Sequence, residues 1–313
     1  MSDAAATLTD VTMRYREHTA LDGVTTGFAT DGITGLLGRN GAGKTTLMQL
    51  LAGHRVPTSG RVRVLGADPY EDDAVLQQVC FVKESQRYPD HFRVRDALSA
   101  AATLFPTWDE DLARALVADF DLPARRPVVK LSRGMVSAVG ITIGLASRAP
   151  VTFFDEPYLG LDAVARQLFY DRLIADYAEQ PRTIVLSTHL IEEISGLLEH
   201  VVLLDAGRVL LDDDAERLRA SALTVTGPAE RVAALAQEHE LLTTDALGGS
   251  ARAVVRLCRP VDPGDLAAAG LTVEPTSLQQ LVVALSTRPA GTPSAAAAAR
   301  TARPSTPFEG ATR

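Results

Sequence analysis

The chain is poor in the features that mark disulfide-rich, metal-clustered or membrane-spanning proteins. Its 313 residues include two cysteines, Cys80 and Cys258, which are far apart and lack metal-ligand spacing. Both lie in apolar runs, so we expect buried free thiols in a reducing compartment and no disulfide. No segment approaches the roughly 18 apolar residues of a membrane-spanning helix, and the N-terminus lacks a secretion-signal pattern. We therefore expect a cytoplasmic protein whose membrane partner, if it has one, is another polypeptide.

Basic residues are also too few to favour nucleic acid as the main partner. Lys and Arg number 31 against 39 Asp and Glu, which gives a net charge of −8, and no long basic run occurs. This balance mainly favours solubility. Hydrophobic residues make up 46% of the chain, which is enough for a large core and more than one module. We expect no nucleic-acid partner, two compact units and a tail.

The most informative pattern that is present is a glycine-rich loop at residues 38–45. Its letters, GRNGAGKT, match the P-loop pattern G-x-x-x-x-G-K-[ST] at every fixed position. Glycines let main-chain N–H groups close around phosphates, and the following helix offers its positive N-terminus. We expect Lys44 to reach the terminal phosphates and Thr45 to bind Mg²⁺. The predicted nucleotide-binding residues of this loop are Gly38, Arg39, Asn40, Gly41, Ala42, Gly43, Lys44, Thr45 and Thr46.

The sequence around this loop has the order that the motif requires. Residues 32–37 predict a buried strand and residues 46–52 an amphipathic helix. A chance glycine-rich turn is the alternative, and the agreement of the flanks argues against it. The loop alone does not choose between kinase, GTPase, motor and transporter ATPase.

A pair of acids follows a later apolar strand. Asp155 and Glu156 come directly after residues 151–154, as the second nucleotide motif of P-loop proteins requires. We expect Asp155 to bind Mg²⁺ and Glu156 to orient or deprotonate the water that attacks the γ-phosphate. A solvated acid pair at a strand end is the alternative, which the upstream P-loop disfavours.

Between the two motifs, residues 131–135 read LSRGM and open an apolar helix. Here the chain resembles the signature motif of ATP-binding cassette (ABC) ATPases. The resemblance implies that Ser132, a good helix N-cap, and Gly134 clasp the γ-phosphate of an ATP that a second ATP-binding subunit holds. It therefore implies an ATPase that works as a dimer, of two copies or of two paralogues, around ATP and Mg²⁺.

The resemblance extends over about residues 7–218, with the remaining motifs in the family's order. Tyr15 matches the aromatic residue that stacks on adenine, although a strand tyrosine is the alternative. Asp162, in the sequence LGLD, matches the loop that pairs the two subunits' sites. His189 follows a strand and matches the histidine that contacts the γ-phosphate and reports its loss.

Three motifs depart from the family pattern, at four positions. In the signature, Arg133 and Met135 replace a glycine and a glutamine. Glu84 stands where a glutamine normally serves the metal and the membrane partner, with Gln86 as a displaced candidate. A glutamate there is expected to bind Mg²⁺ or its water while repelling the γ-phosphate. Leu159 replaces a small polar residue, with a modest expected effect on subunit contact.

The predicted fold class is α/β: a P-loop NTPase core with a β-rich edge and a helical insertion at about residues 94–149. We divide the chain into an ABC ATPase domain at residues 1–218, a small α+β domain at residues 219–287 and a disordered tail at residues 288–313. The helical part, including residues 88–90 and 105–109, resembles exporter-type cassettes that partner separately encoded ABC-2-like permeases. The resemblance places the chain on the inner face of the cell membrane.

The predicted function is therefore ATP hydrolysis that drives a transmembrane permease. The main alternative is a non-transport ABC ATPase acting on ribosomes or DNA. Such proteins usually carry a second cassette, a long coiled coil or zinc-binding cysteines, and the sequence shows none of these. A small-molecule P-loop kinase is a further alternative, in which Ser132 and His189 have no evident purpose.

Overall fold

A computed structural model describes residues 4–84 and 86–286. Its strands within those residues are β1 (Ala4–Tyr15), β2 (His18–Ala29), β3 (Ile33–Leu37), β4 (Ser59–Val64), β5 (Val79–Val82), β6 (Val151–Asp155), β7 (Thr183–Thr188), β8 (His200–Asp205), β9 (Arg208–Asp214), β10 (Ala222–Pro228), β11 (Glu240–Leu247), β12 (Ser250–Arg256) and β13 (Thr272–Pro275).

The helices in the same residues are α1 (Lys44–Leu51), α2 (Asp73–Leu76), α3 (Val94–Leu104), α4 (Glu110–Asp119), α5 (Arg133–Ala146), α6 (Ala163–Glu179), α7 (Ile191–Ile194), α8 (Ala215–Ala220), α9 (Ala229–Ala234), α10 (Pro263–Ala268) and α11 (Leu278–Ser286). Short 3-10 turns occupy Val128–Lys130, Ser195–Leu197 and Leu235–Gln237. No helix in this part of the chain is both long enough and apolar enough to cross a bilayer.

A six-stranded sheet in the order β5-β6-β7-β3-β8-β9 forms the centre of the fold. Its strands pair in parallel except for β9, which forms an antiparallel hairpin with β8. Every residue of β3, β6 and β7 is buried, because both faces are covered, and their sequences are accordingly apolar and β-branched. The carboxyl ends of these three strands meet at one edge, where ligands bind in open α/β sheets. The predicted α/β core is confirmed.

The second sheet, β2-β1-β4, is antiparallel and forms the predicted β-rich edge. Phe28 on β2, Leu47 on α1 and Phe153 on β6 belong to one buried cluster. The edge sheet, the first helix and the central sheet therefore share a core, which fixes the loop between β3 and α1.

Helices α3, α4 and α5 form the helical insertion that the sequence predicts. Ser132 caps α5, and residues 138–146 of this helix are buried. Leu116 on α4, Ile141 on α5 and Phe154 on β6 lie in the same hydrophobic cluster. This packing anchors the start of α5 beside the carboxyl edge of the sheet.

The third sheet, β11-β12-β10-β13, is antiparallel and follows α8. Its own small core contains Val225, Val232 and Val255. Helix α11 packs back on the main core, since its Leu281 shares a cluster with Leu218. The division at residue 218 stays a prediction, and the predicted disordered tail at residues 288–313 lies outside the described residues.

The cysteine prediction is correct for one thiol and wrong for the other. Both cysteines are free, so no disulfide joins them. Cys80 is buried on β5, and burial raises the pKa of its thiol to about 12. Cys258 is exposed, because β12 ends at Arg256 and the apolar run leaves the sheet before the cysteine.

Candidate active site

A cavity of about 490 Å³ opens at the carboxyl edge of the central sheet. Its volume lies within the range of small-molecule sites. Of the predicted site residues, Gly38, Arg39, Ser132, Gly134 and Asp162 are not among its lining. Those that line it are Tyr15, Asn40, Gly41, Ala42, Gly43, Lys44, Thr45, Thr46, Glu84, Asp155, Glu156 and His189, with His18, Ala20 and Leu159 completing the wall.

The loop between β3 and α1 has a backbone that its glycines permit. Gly38, Gly41 and Gly43 have φ angles of 146°, 83° and 105°, in the region that L side chains rarely adopt. A Cβ at Gly43 would lie 2.6 Å from the carbonyl oxygen of Ala20. The loop is thus held tightly against β2 while its amides border the cavity at the start of α1.

Lys44 is buried at the base of this cavity. Its Nζ donates to the carbonyl oxygens of Gly38 at 2.7 Å and Arg39 at 3.3 Å, and lies 3.8 Å from Glu156 Oε1. Burial lowers the pKa of Lys44, while the charges of Glu156 and Asp155 act in the opposite direction. The ammonium group therefore lies between the loop and the acid pair.

Asp155 ends β6 and is buried beside the loop. Thr45 Oγ1 donates to its Oδ2 at 2.7 Å, and Ser187 Oγ donates to its Oδ1 at 2.6 Å. Across residues 4–84 and 86–286, no three His, Cys, Asp or Glu side chains form a complete metal site. A hydroxyl and a carboxylate nevertheless fit Mg²⁺, which usually takes one or two protein oxygens and completes its shell with phosphate and water.

Glu156 follows Asp155 in a strained conformation. Its φ is 49°, which costs a non-glycine residue about 1–3 kcal/mol and persists only where the surroundings enforce it. Its backbone N–H donates to Ser187 Oγ at 3.0 Å. Its Oε2 lies 2.9 Å from His189 Nδ1, while its buried Oε1 has no hydrogen-bond partner. The turn after β6 thus leaves one carboxylate oxygen beside Lys44 without a hydrogen bond.

Two predicted residues lie at the rim of the cavity. His189 follows β7, is exposed and approaches the acid pair through the contact with Glu156. Tyr15 ends β1, and the guanidinium of Arg55 lies 5.5 Å from the centroid of its ring. Tyr15 is therefore placed at the mouth of the cavity, with a cation on one side of its ring.

Glu84 faces the cavity, and Gln86 does not. Gln86 is absent from the lining, and its side-chain oxygen is buried without a hydrogen-bond partner. Glu84 Oε1 also accepts from Arg133 Nη2 at 3.1 Å. Two positions that depart from the family pattern, 49 residues apart in the chain, are thus in contact, a pairing that the sequence did not predict.

Three predicted residues meet in a separate depression of about 190 Å³ at the starts of α5 and α6. Ser132 Oγ accepts from the amide of Met135, and Asp162 Oδ1 accepts from the amide of Ala165. Each side chain therefore caps its own helix. A Cβ at Gly134 would lie 2.4 Å from a carbonyl oxygen of the adjacent loop, so glycine is required for this close approach.

Sequence reasoning missed Tyr158, which lies two residues after Glu156. Its hydroxyl contacts Glu156 Oε2, His189 and Thr188. The only signal in the sequence was its position between Glu156 and the LGLD loop. Its contacts depend on the end of β7, which the chain reaches about 30 residues later.

The chain is similar to known proteins in sequence and in fold. A family model described as ABC transporter matches residues 21–159. The chain is 31% identical over 226 residues to the daunorubicin resistance ATP-binding protein DrrA3 of Streptomyces coeruleorubidus, with 70% of this chain and 71% of that protein covered. The chain belongs to the ABC transporter ATP-binding proteins.

Two further likenesses agree with this family. The chain is 32% identical over 228 residues to the Nod factor export ATP-binding protein I of Paraburkholderia xenovorans, with 71% of this chain and 74% of that protein covered. A solved ATP-binding subunit of an ABC transporter shares the fold, with a TM-score of 0.63 at 24% identity over 69% of this chain and 92% of that one. This ABC ATP-binding subunit is thus an ATPase associated with transport, and the alternatives of a ribosome- or DNA-directed ATPase and of a kinase are set aside.

Proposed function

We propose that two such subunits, identical or paralogous, close around two ATP and two Mg²⁺ and drive a separately encoded ABC-2-like permease. One observation supports the proposal of a dimer. Lys44, Asp155 and Glu156 lie in one cavity, whereas Ser132 and Asp162 border another. A γ-phosphate held by the loop of one subunit would be completed by the signature of the other.

The loop is suited to bind the polyphosphate. Lys44 Nζ now donates to two loop carbonyls and would exchange them for oxygens of the terminal phosphates. The amides of Gly41 to Thr46 would surround the rest of the chain of phosphates. Tyr15 would stack on adenine with its free face, opposite Arg55.

Thr45, Asp155 and Glu84 would hold the metal ion. All three line the nucleotide cavity and offer oxygen ligands. Mg²⁺, when bound, neutralises the charge that develops on the phosphates. Glu84 would act directly or through water, and its negative charge makes metal occupancy more important for ATP binding than a neutral glutamine would.

Glu156 would orient or deprotonate the attacking water. Its Oε1 lies 3.8 Å from Lys44 Nζ and has no hydrogen-bond partner, so its lone pairs would accept from a water beside the γ-phosphate. His189 would contact the γ-phosphate from the rim and signal its loss. Hydrolysis would then separate the subunits, because the phosphate that bridges them is gone.

The permease would sit against the part of the chain between Glu84 and Phe105. Glu84 borders the nucleotide, while α3 starts at Val94 in the helical insertion. An opening of the dimer would therefore move this part of the surface. The subunit would work on the cytoplasmic side, peripheral to the membrane, and the name of the Nod factor export relative favours export.

The dimer is tested by trapping it. With saturating ATP and Mg²⁺, Glu156→Gln is expected to form a stable dimer by size-exclusion chromatography with light scattering, because hydrolysis no longer releases the subunits. Glu110→Gln changes an exposed acid on α4 and should behave as the wild type. A Glu156→Gln chain that binds ATP yet stays monomeric would show that the shared-site proposal is wrong.

The proposed coupling to a permease is tested by finding which proteins are recovered with the chain from cells. The tagged chain should co-purify from membranes with a multi-span protein and lose that partner when residues between Glu84 and Phe105 are exchanged for those of another cassette. Recovery with ribosomes instead would contradict the coupling proposal.

A further inference from the structure

Tyr158 occupies a buried position between the two strand ends that carry the catalytic groups. It is 4% exposed and lies on the turn that follows β6. Its hydroxyl is within 3.1 Å of each of its partners on Glu156, Thr188 and His189. A single side chain therefore links the acid pair to the end of β7.

The hydrogen bonds determine where the tyrosine proton points. A hydroxyl has one donor and two acceptor sites. Thr188 Oγ1 donates to the Tyr158 oxygen at 2.8 Å, and the backbone N–H of His189 donates to it at 3.0 Å. With both acceptor sites filled, the Tyr158 proton is directed to Glu156 Oε2. Burial raises the pKa of Tyr158, so the hydroxyl stays a protonated donor at neutral pH.

Because of this contact, the two oxygens of the Glu156 carboxylate have different hydrogen bonding. Oε2 is held by the Tyr158 hydroxyl and by His189 Nδ1. Oε1 has no hydrogen-bond partner and faces Lys44 across 3.8 Å. Rotation of the carboxylate would break the bonds to Oε2, so these bonds also hold Oε1 in its place beside Lys44.

We propose that Tyr158 is a positioning residue for ATP hydrolysis, whose hydroxyl fixes Glu156 through Oε2 and leaves Oε1 directed at the attacking water. The proposal rests on the role proposed above for Glu156. It also links that residue to His189, because the same hydroxyl accepts the histidine's backbone N–H. The phosphate-sensing loop and the base are thereby held in one arrangement.

Removal of the hydroxyl tests the proposal in the full-length chain. Tyr158→Phe keeps the ring and is expected to lower kcat for ATP hydrolysis by about tenfold to a hundredfold, the range for losing one hydrogen bond to a charged group. KM for ATP and ATP-dependent dimerisation should stay within about twofold, because the loop and Lys44 are untouched. A merely structural tyrosine would lower kcat, ATP affinity and the melting temperature together.

Tyr170→Phe is the matched control. Tyr170 is also 4% exposed, its hydroxyl donates to Glu193 at 3.3 Å, and it does not line the nucleotide cavity. Its loss should leave kcat unchanged. If Tyr158→Phe and Tyr170→Phe have the same kcat, the positioning role is overturned.

The Glu156→Gln background separates this proposal from the one on which it rests. If Tyr158 acts through Glu156, the double variant should hydrolyse ATP no more slowly than Glu156→Gln alone. A further drop of tenfold would overturn the positioning role. If Glu156→Gln alone keeps wild-type kcat, the catalytic role of Glu156 fails instead, whatever Tyr158→Phe does.

Discussion

The nucleotide cavity, lined by Lys44, Asp155 and Glu156, and the depression lined by Ser132 and Asp162 differ in how their polar groups are held. In the cavity, Lys44, Asp155 and Glu156 are buried and bonded across separate strands and loops. In the depression, Ser132 and Asp162 are exposed, and each bonds to the start of its own helix. The polar groups of the cavity are brought together from separate parts of the chain, whereas those of the depression are exposed and held by local contacts.

This difference matches what the proposed shared site requires of each half. Charges that position a metal and a water need a low-dielectric setting and partners that do not move. Groups that complete another subunit's site need exposure, and local caps hold them without a long-range contact. The asymmetry therefore predicts that substitutions in the depression spare ATP binding by the single chain while stopping hydrolysis.

The largest effect is expected from Ser132→Arg, which places a bulky side chain in the depression. ATPase activity should fall by ~100-fold, as when a group that binds transition-state charge is lost. ATP affinity of the monomer should not change, because the nucleotide cavity is untouched. Ser99→Arg alters an exposed serine on α3 and should keep both properties. An affinity loss in Ser132→Arg, measured with a fluorescent nucleotide, would contradict the separation of the two halves.

A smaller effect is expected where the two halves touch, at Glu84 and Arg133. Glu84→Gln removes a charge that is expected to repel the phosphates, so ATP binding in EDTA should tighten by about 1.4-fold to fivefold, as for an exposed charge interaction worth about 0.2–1 kcal/mol. Half-maximal ATPase activity should then require more Mg²⁺. Arg133→Gln removes the partner of Glu84 while Glu84 keeps its negative charge, so this variant should bind ATP more weakly in EDTA. Unchanged affinity and Mg²⁺ requirement in both variants would exclude Glu84 from the nucleotide site.

The smallest effect on catalysis is expected from α11, which touches neither half. Leu281 is 2% exposed, so Leu281→Ala should lower the free energy of unfolding by about 2–5 kcal/mol and leave kcat unchanged. Val283 on the same helix is 53% exposed, and Val283→Ala should change the free energy of unfolding by less than about 0.5 kcal/mol. Urea denaturation of the two variants measures both changes in the free energy of unfolding. A large fall in kcat for folded Leu281→Ala would show that the C-terminal elements act on the site.

Elements with strong local signals were predictable from the sequence. The P-loop, the buried strands β6 and β7 and the helices α4 and α5 follow from glycine spacing and hydrophobic periodicity. β11 has no clear strand pattern in the sequence, because it lies at the edge of its sheet and polar residues such as Thr244 and Asp245 interrupt the alternation. α10 has no clear helix pattern either, because it is only six residues long and shows no helical period.

The candidate site was predictable where a motif defines it and not where the fold joins distant residues. Asp155, Glu156 and His189 meet as their order along the chain implied. The link from Tyr158 to Thr188 and the pair of Glu84 with Arg133 join residues 30 and 49 positions apart. Such contacts depend on how strand ends and loops are placed beside one another, which no local pattern records.

Cross-linking between differently tagged copies tests the shared site most directly. Copies with Asn40→Cys would be mixed with copies with Ser132→Cys, all carrying Cys258→Ser and Glu156→Gln, and treated with a short thiol cross-linker. Cys258 is the exposed native thiol, and Cys80 is buried. We predict a cross-link between the two kinds of copy that requires ATP and Mg²⁺. No cross-link with ATP, or one that joins two Asn40→Cys copies equally well, would contradict the account.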